Sequence, residues 1–285
     1  MRVVCAGHVN WDVTLFVDRV PTPEVETRIE RRHQSGGGSA ANVAVALCAL
    51  GEPAGLIGSV GDDEHGLFAR RSLADAGVDL GGVRVVPGDT AVKYLLVPAD
   101  GDVCVMGTGG ANERVRPADV DPDYVARADH CHLTSQRPAT ASRLAALADD
   151  AGATVSFDPG RRAADRDYGA VYDRADLLFV NEHEAAAVPT GTDAVVVTKY
   201  GGAGASARAD GATVDHPGYG VDPVDTAGAG DAFAAGFLAA WLDGADLRGA
   251  LATGNACGAV AARHEGAQVR LDPAAVRTLR DEGGR

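Results

Sequence analysis

Short apolar runs alternate with helix-patterned segments over most of the chain, and this alternation constrains the fold more than any other feature of the sequence. Segments 2–7, 55–60, 130–134, 154–158, 177–181, 194–198 and 205–209 read as strands. Segment 39–50, with Val43, Ala46, Leu47 and Leu50 on one face, reads as a helix, as do 65–76, 139–150, 229–243, 247–264 and a short piece after Pro273. Strands separated by helices are joined by crossovers, so they run parallel and their helices cover both faces of the sheet. The expected fold is a doubly wound α/β domain with a mostly parallel sheet. Two stretches break the rhythm. Around Pro21 and Pro23, segments 13–17 and 27–33 read as extended. Segments 83–86, 91–97 and 103–106 follow one another with turns at 87–89 and 99–102 and no helix between them. These regions, 11–34 and 83–108, are expected to form a small β-sheet lid on a main domain made of 1–10, 35–82 and 109–285.

Composition narrows the function classes. A chain of 285 residues is long enough for one large α/β core. The formal net charge of −14 repels phosphate backbones, which argues against generic nucleic-acid binding. No apolar run approaches the roughly 18–20 residues of a membrane span, and the N-terminal segment reads as a first strand, not a leader. Cys5, Cys48, Cys104, Cys131 and Cys257 are scattered, which suits reduced thiols in the cytoplasm more than a disulfide framework or a zinc site. Of the 26 lysines and arginines only Lys93 and Lys199 are lysines. This low lysine content suits a salt-accumulating halophile or a GC-rich genome, and the acidic excess favours the halophile.

The strongest chemical signal is Asp225-Thr226-Ala227-Gly228-Ala229-Gly230-Asp231, directly ahead of a helix. Glycines at 228 and 230 permit a tight turn whose free N–H groups and helix dipole make an anion site. A carboxylate at 231 would repel a phosphate that was merely bound there. It makes sense as a base that takes the proton from a hydroxyl attacking the phosphate.

Four motifs in order resemble the ribokinase-like (PfkB) carbohydrate kinases, over nearly the whole chain. They are Gly37-Gly38-Ser39-Ala40-Ala41-Asn42, Asn181-Glu182-His183-Glu184, Lys199-Tyr200-Gly201-Gly202-Ala203-Gly204 and the 225–231 heptapeptide. The resemblance implies that Asp231 is the catalytic base and that the amides around Gly228, Ala229 and Gly230 hold the transferred phosphoryl group. It implies ATP as donor, bound by Asn181, Glu184, Lys199, Gly201, Gly204 and Asn255, and Mg²⁺ held through water by Glu184. Asp225 with the 261–266 loop matches the place of a monovalent cation, K⁺. Lid strands in such relatives often pair between protomers, so a homodimer is expected.

The acceptor side is expected to contain Asn10, Asp12, Gly37, Gly38 and Asn42, amides and a carboxylate suited to sugar hydroxyls. Lys93 stands where free-sugar kinases of this kind usually carry a small apolar lid residue, and Arg137 follows a strand end near the substrate. With Arg28 from the other lid segment they would form a cationic pocket for a phosphate already on the sugar, as in ribose 1-phosphate. If these charges are only surface charges, a free sugar or nucleoside (ribose, guanosine or cytidine, 2-keto-3-deoxygluconate) is the substrate. An inactive nucleotide-binding regulator on the same fold is the reading from another class.

Overall fold

The structure, a computed structural model, describes residues 1–98, 104–189 and 191–283. Its large sheet contains seven parallel strands: β1 (Val3–Ala6), β4 (Ala54–Gly61), β5 (Asp79–Val86), β8 (His130–Thr134), β9 (Thr154–Asp158), β10 (Leu177–Asn181) and β11 (Val195–Lys199). An antiparallel hairpin, β12 (Ala205–Ala209) and β13 (Ala212–His216), extends one edge, giving the order β13-β12-β11-β10-β9-β8-β1-β4-β5. The chain winds outward from β1 to one side, then returns to β8 on the other. The C-terminal ends of β1 and β8 therefore flank the crevice where open α/β sheets bind ligands.

Alternation along the strands feeds two cores. Val3 and Cys5 of β1 point to the side of α1 (Ser39–Leu50), α2 (Glu64–Asp75), α6 (Ala229–Leu242), α7 (Leu247–Ala262) and α8 (Pro273–Gly283). Val4 and Ala6 point to the side of α3 (Pro122–Val125), α4 (Pro138–Asp150) and α5 (Gly169–Tyr172). Small residues on α6 and α7 let these helices lie close. A Cβ at Gly236 would overlap the Cys257 side chain, and one at Gly254 would press on Phe233. Among the described residues no helix is long and apolar enough to cross a membrane.

The second sheet has the order β3-β2-β6-β7, from β2 (Asn10–Val17), β3 (Ile29–Gly37), β6 (Ala91–Pro98) and β7 (Cys104–Gly107). β2 and β6 pair in parallel because both leave the same, C-terminal edge of the large sheet, one after β1 and one after β5. The expected turn at 99–102 lies outside the described residues.

The lid boundaries differ from the sequence expectation at both segments: Asn10 and residues 35–37, expected in the main domain, pair within the second sheet, and the second lid segment starts later. Residues 83–86 were assigned to the lid, yet they end β5, which begins at Asp79 and pairs in parallel with β4 in the large sheet. The cause is local: α2 is followed by Gly77 in the left-handed region (φ 84°). The chain then re-enters the sheet as the closing strand of a β4–α2–β5 crossover. The lid's second contribution begins at Ala91. Strand β13 carried too few apolar residues to be read from sequence at all.

Candidate functional site

Helix α6 starts at the C-terminal edge of the sheet, with Gly228 at its N-terminus in the left-handed conformation (φ 74°). Glycine is required there twice over, since a Cβ would also overlap the Ala267 carbonyl. The turn is tied down by Asp225. One of its oxygens accepts from Ala227 N (2.9 Å) and the other from Gly266 N (3.0 Å), so it bridges the 225–231 turn to the loop after α7. That loop also reaches the lid. Glu265 receives both terminal nitrogens of Arg31 at 2.7 Å, and a Cβ on Gly36 would overlap the Gln268 side chain.

Asp231 sits in the first turn of α6, where its Oδ2 accepts a 2.7 Å hydrogen bond from Asn42 Nδ2 on α1. Burial lifts the Asp231 carboxyl above its ordinary range and Asp158 adds to this, while the Asn42 bond, Lys199 and Lys93 oppose it. A carboxylate raised in this way holds a proton more readily at neutral pH. The Asn42 side chain keeps its Oδ1 buried and without a partner.

Asp12 supplies a second such atom. Its carboxylate lies over Gly37, where any Cβ would collide with it, and its Oδ1 is buried without a hydrogen bond. Burial pushes the Asp12 carboxyl up to about 6 against the pull of Lys93. Two orphaned acceptors beside a buried carboxylate make a pocket that could take hydroxyl donors. Gly38 (φ 95°) turns the chain from β3 into α1, and a Cβ there would strike the His8 carbonyl. Asn10 is buried and accepts from Asn112 Nδ2 at 2.6 Å, while Asn112 Oδ1 accepts from Val9 N at 3.1 Å. Asn10 therefore fixes the lid hinge through Asn112, a partner that sequence reasoning missed.

Three cations were expected to converge. Lys93 lies on β6 in register with Asp12 on β2 and acts electrostatically on both Asp12 and Asp231. Arg137 is 58% exposed and lies 4.0 Å from Glu113. Glu113, at φ 61°, also takes both terminal nitrogens of Arg166 (2.9 and 3.2 Å) and lies 3.2 Å from His8 Nε2. The His8 contact, with Arg166, holds the Glu113 carboxyl down to about 2. Arg137 thus borders a small neighbouring cavity with His8 and Glu113. Arg28 does not join them. Ser35 is the β3 residue opposite Asp12, and Arg28 lies seven residues back, just before β3 begins, beside Asp18. At about 3.3 Å per residue, that is roughly 20 Å from Asp12.

On the far side of Asp231 lies a cleft of about 350 Å³ whose lining includes Lys199, Gly201, Gly204, Gly230 and Asn255. At Gly204 (φ 95°) a Cβ would overlap the His216 carbonyl, so only glycine lets the backbone wall the cleft. Asn255 donates Nδ2 to Leu251 O (2.9 Å). The Asn-x-x-Glu motif forms a reciprocal cap at the end of β10. Asn181 Oδ1 accepts from Glu184 N, and Glu184 Oε2 accepts from Asn181 N, both at 3.0 Å. Burial, then Asp158, raises the Glu184 carboxyl. Asp158, at the end of β9, was not singled out in the sequence. It receives Lys199 Nζ at 2.7 Å and brings a second carboxylate close to Glu184. Its only sequence signal was a strand-end acid before Pro159-Gly160.

No group of three or more His, Cys, Asp or Glu among the described residues could hold a metal by itself. Glu184 and Asp158, the latter bonded to the cleft-lining Lys199, are oxygen donors of the kind that Mg²⁺ takes while keeping several of its waters.

Residues 1–274 match the model of the pfkB family carbohydrate kinases. A protein of Halopiger xanaduensis named ATP-dependent ribose-1-phosphate kinase is 55% identical over 94% of this chain and 94% of its own. Among solved structures, Arabidopsis thaliana ribokinase complexed with ribose and ATP superposes with a TM-score of 0.86 at 25% identity, covering 98% of each chain. A putative ribokinase II from E. coli, in complex with ATP and Mg²⁺, gives 0.85 at 23% identity, covering 99% of each.

Proposed function

Since the chain belongs to the pfkB family of carbohydrate kinases and is an ATP-dependent sugar kinase, we propose that its acceptor is a sugar that already carries a phosphate, ribose 1-phosphate, converted to ribose 1,5-bisphosphate. One observation carries this reading. Lys93, one of two lysines in an acidic chain, lies on the lid strand in register with Asp12, within electrostatic range of both Asp12 and Asp231. A neutral sugar has no use for a cation there, whereas a sugar phosphate does. The 55% identical relative bears the corresponding name.

The chain's own groups account for the transfer. Asp12 and Asn42 present buried acceptors to the sugar hydroxyls and fix its orientation. Asn42 Nδ2 steers the Asp231 carboxylate, which takes the proton of the attacking hydroxyl. The amides around Gly228, Ala229 and Gly230 face the charge developing on the phosphoryl group. Mg²⁺, held by water contacts to Glu184 with Asp158 nearby, would neutralise the triphosphate. K⁺ at Asp225 would stiffen the turn that carries those amides, and turnover in KCl should then exceed turnover in tetramethylammonium chloride. Exposed Ile29, Val105 and Met106 on the lid fit a homodimer formed through that sheet, which light scattering can measure. A cytoplasmic, salt-rich setting suits the acidic charge.

The test is ADP release from ATP and magnesium in molar KCl, with ribose 1-phosphate, ribose, guanosine, cytidine and 2-keto-3-deoxygluconate as acceptors. Ribose 1-phosphate should be preferred, and Lys93→Ala should raise its KM by about 10–100-fold, the worth of one charge-assisted contact. If ribose or a nucleoside is preferred and Lys93→Ala is silent, the kinase stands and the sugar-phosphate reading falls.

A further inference from the structure

We propose that Lys199 is a catalytic cation for the phosphoryl transfer and that Asp158 is the residue that positions it. Lys199 closes β11 at the C-terminal edge of the large sheet, and Asp158 closes β9 two strands away. The strand ends aim both side chains beneath the start of α6. Lys199 Nζ donates to Asp158 Oδ2 at 2.7 Å and lies 3.6 Å from where a Cβ of Gly230 would be. The ammonium is therefore against the backbone that forms the anion site, on the wall of the nucleotide cleft.

The pair is nearly out of water, with side-chain exposures of 16% and 13%. A buried pair of this kind is a weak source of stability, because desolvation offsets most of the attraction. Its place argues for chemistry. An ammonium has three N–H donors, and among the described residues only Asp158 accepts one of them. The other two are free for an anion in the cleft. Apart from Lys93, every other Lys or Arg position of the chain is an arginine. A compact point charge fits beneath a glycine turn where a planar guanidinium would not.

In the reaction the acceptor oxygen forms a bond to the γ-phosphorus, and the acceptor proton passes to Asp231. The bond from the γ-phosphorus to its bridging oxygen breaks, and ADP leaves with the electron pair. Lys199 donates to the γ-phosphoryl oxygens from below while the α6 amides donate from the helix side. Asp158 keeps the ammonium at that height when the cleft is empty.

This inference rests on the ATP-dependent kinase reading but not on the identity of the acceptor. The full-length protein is assayed for turnover with whichever acceptor the wild type prefers. Binding of ADP and of a non-hydrolysable ATP analogue is measured by calorimetry. Lys199→Met should lower kcat on the order of 10²–10³, as loss of one donor to a developing oxyanion does. The analogue should bind about tenfold more weakly, while ADP, lacking the γ-phosphate, stays within about threefold. Asp158→Asn should lower kcat about tenfold and weaken the analogue more than ADP, with Asp158→Glu recovering part of both. Should Lys199→Met fail to fold with Asp158 left unpaired, the double variant Asp158→Asn/Lys199→Met removes both charges and should show the same losses. Turnover within about fivefold of wild type, or equal weakening of ADP and the analogue, overturns the proposal. A wild type that prefers free ribose overturns the sugar-phosphate reading alone.

Discussion

Asp12→Asn should make the protein more stable and less active, and the gain in stability should depend on pH in a defined way. The wild-type carboxyl is held at about 6 by burial, against about 3.9 in an unfolded chain. Its folded value is raised, so its favourable contribution is present below the unfolded value and is lost as pH rises through about 6. Above that pH the folded protein carries a buried, ionised carboxylate with an orphaned oxygen. The rise to about 6 corresponds to about 3 kcal/mol, an upper figure because the asparagine keeps a polar group in the same place. At pH 7.5 the variant should therefore unfold at higher urea, with a Tm raised by roughly 4–8 °C. Below about pH 4, where Asp12 is protonated in both states, the two proteins should converge. Activity should move the other way. Losing a charged acceptor for a sugar hydroxyl should lower kcat/KM by about 10–100-fold. A stability difference that is flat between pH 4 and 7.5, or a variant less stable than wild type at pH 7.5, would refute the placement of Asp12 as an unsatisfied buried acid.

Asp231→Asn should lower kcat by about 10²–10⁴ while ATP binding, followed by calorimetry, persists; unchanged turnover removes Asp231 as the base. His132 is fully buried and held down to about 4, chiefly by burial, so it favours folding above about pH 6.5 and works against it as pH falls toward 4. Against His132→Asn, wild type should lose up to about 3 kcal/mol between those limits, read from urea midpoints; parallel curves contradict it.

The large sheet was legible because periodicity is local: each strand and helix announces itself within its own residues. The same locality explains the misreadings. Strand β5 was divided because Gly81 and Gly82 interrupt its apolar pattern. Arg28 was placed with Asp12 because apolar pattern does not say which end of a hairpin a residue lies at, and the pairing of Asp12 with Ser35 puts Arg28 at the other end. The glycine turn and Asp231 could be singled out because they are consecutive in the chain, and the structure places them together at the start of α6. Asp158 was not singled out, because its meaning depends on Lys199, 41 residues away. Asn112 and Glu113 likewise act only through His8, Asn10 and Arg166, partners brought near by the return of the chain from the lid. Glu113 and its cations also show why Arg137 alone was an incomplete guide, since a charge read from sequence arrives without its counter-charge.

The loop after α7 touches Asp225, the Gly228 turn, Arg31 and Gly36 at once. Substitutions within it will not sort into effects on one substrate or the other. Changes at Glu265 and Gln268 should combine non-additively with changes in the lid and at the start of α6. Descendants of this chain that acquire a new acceptor by altering the lid would have to alter this loop in step, so the two segments should evolve as one unit.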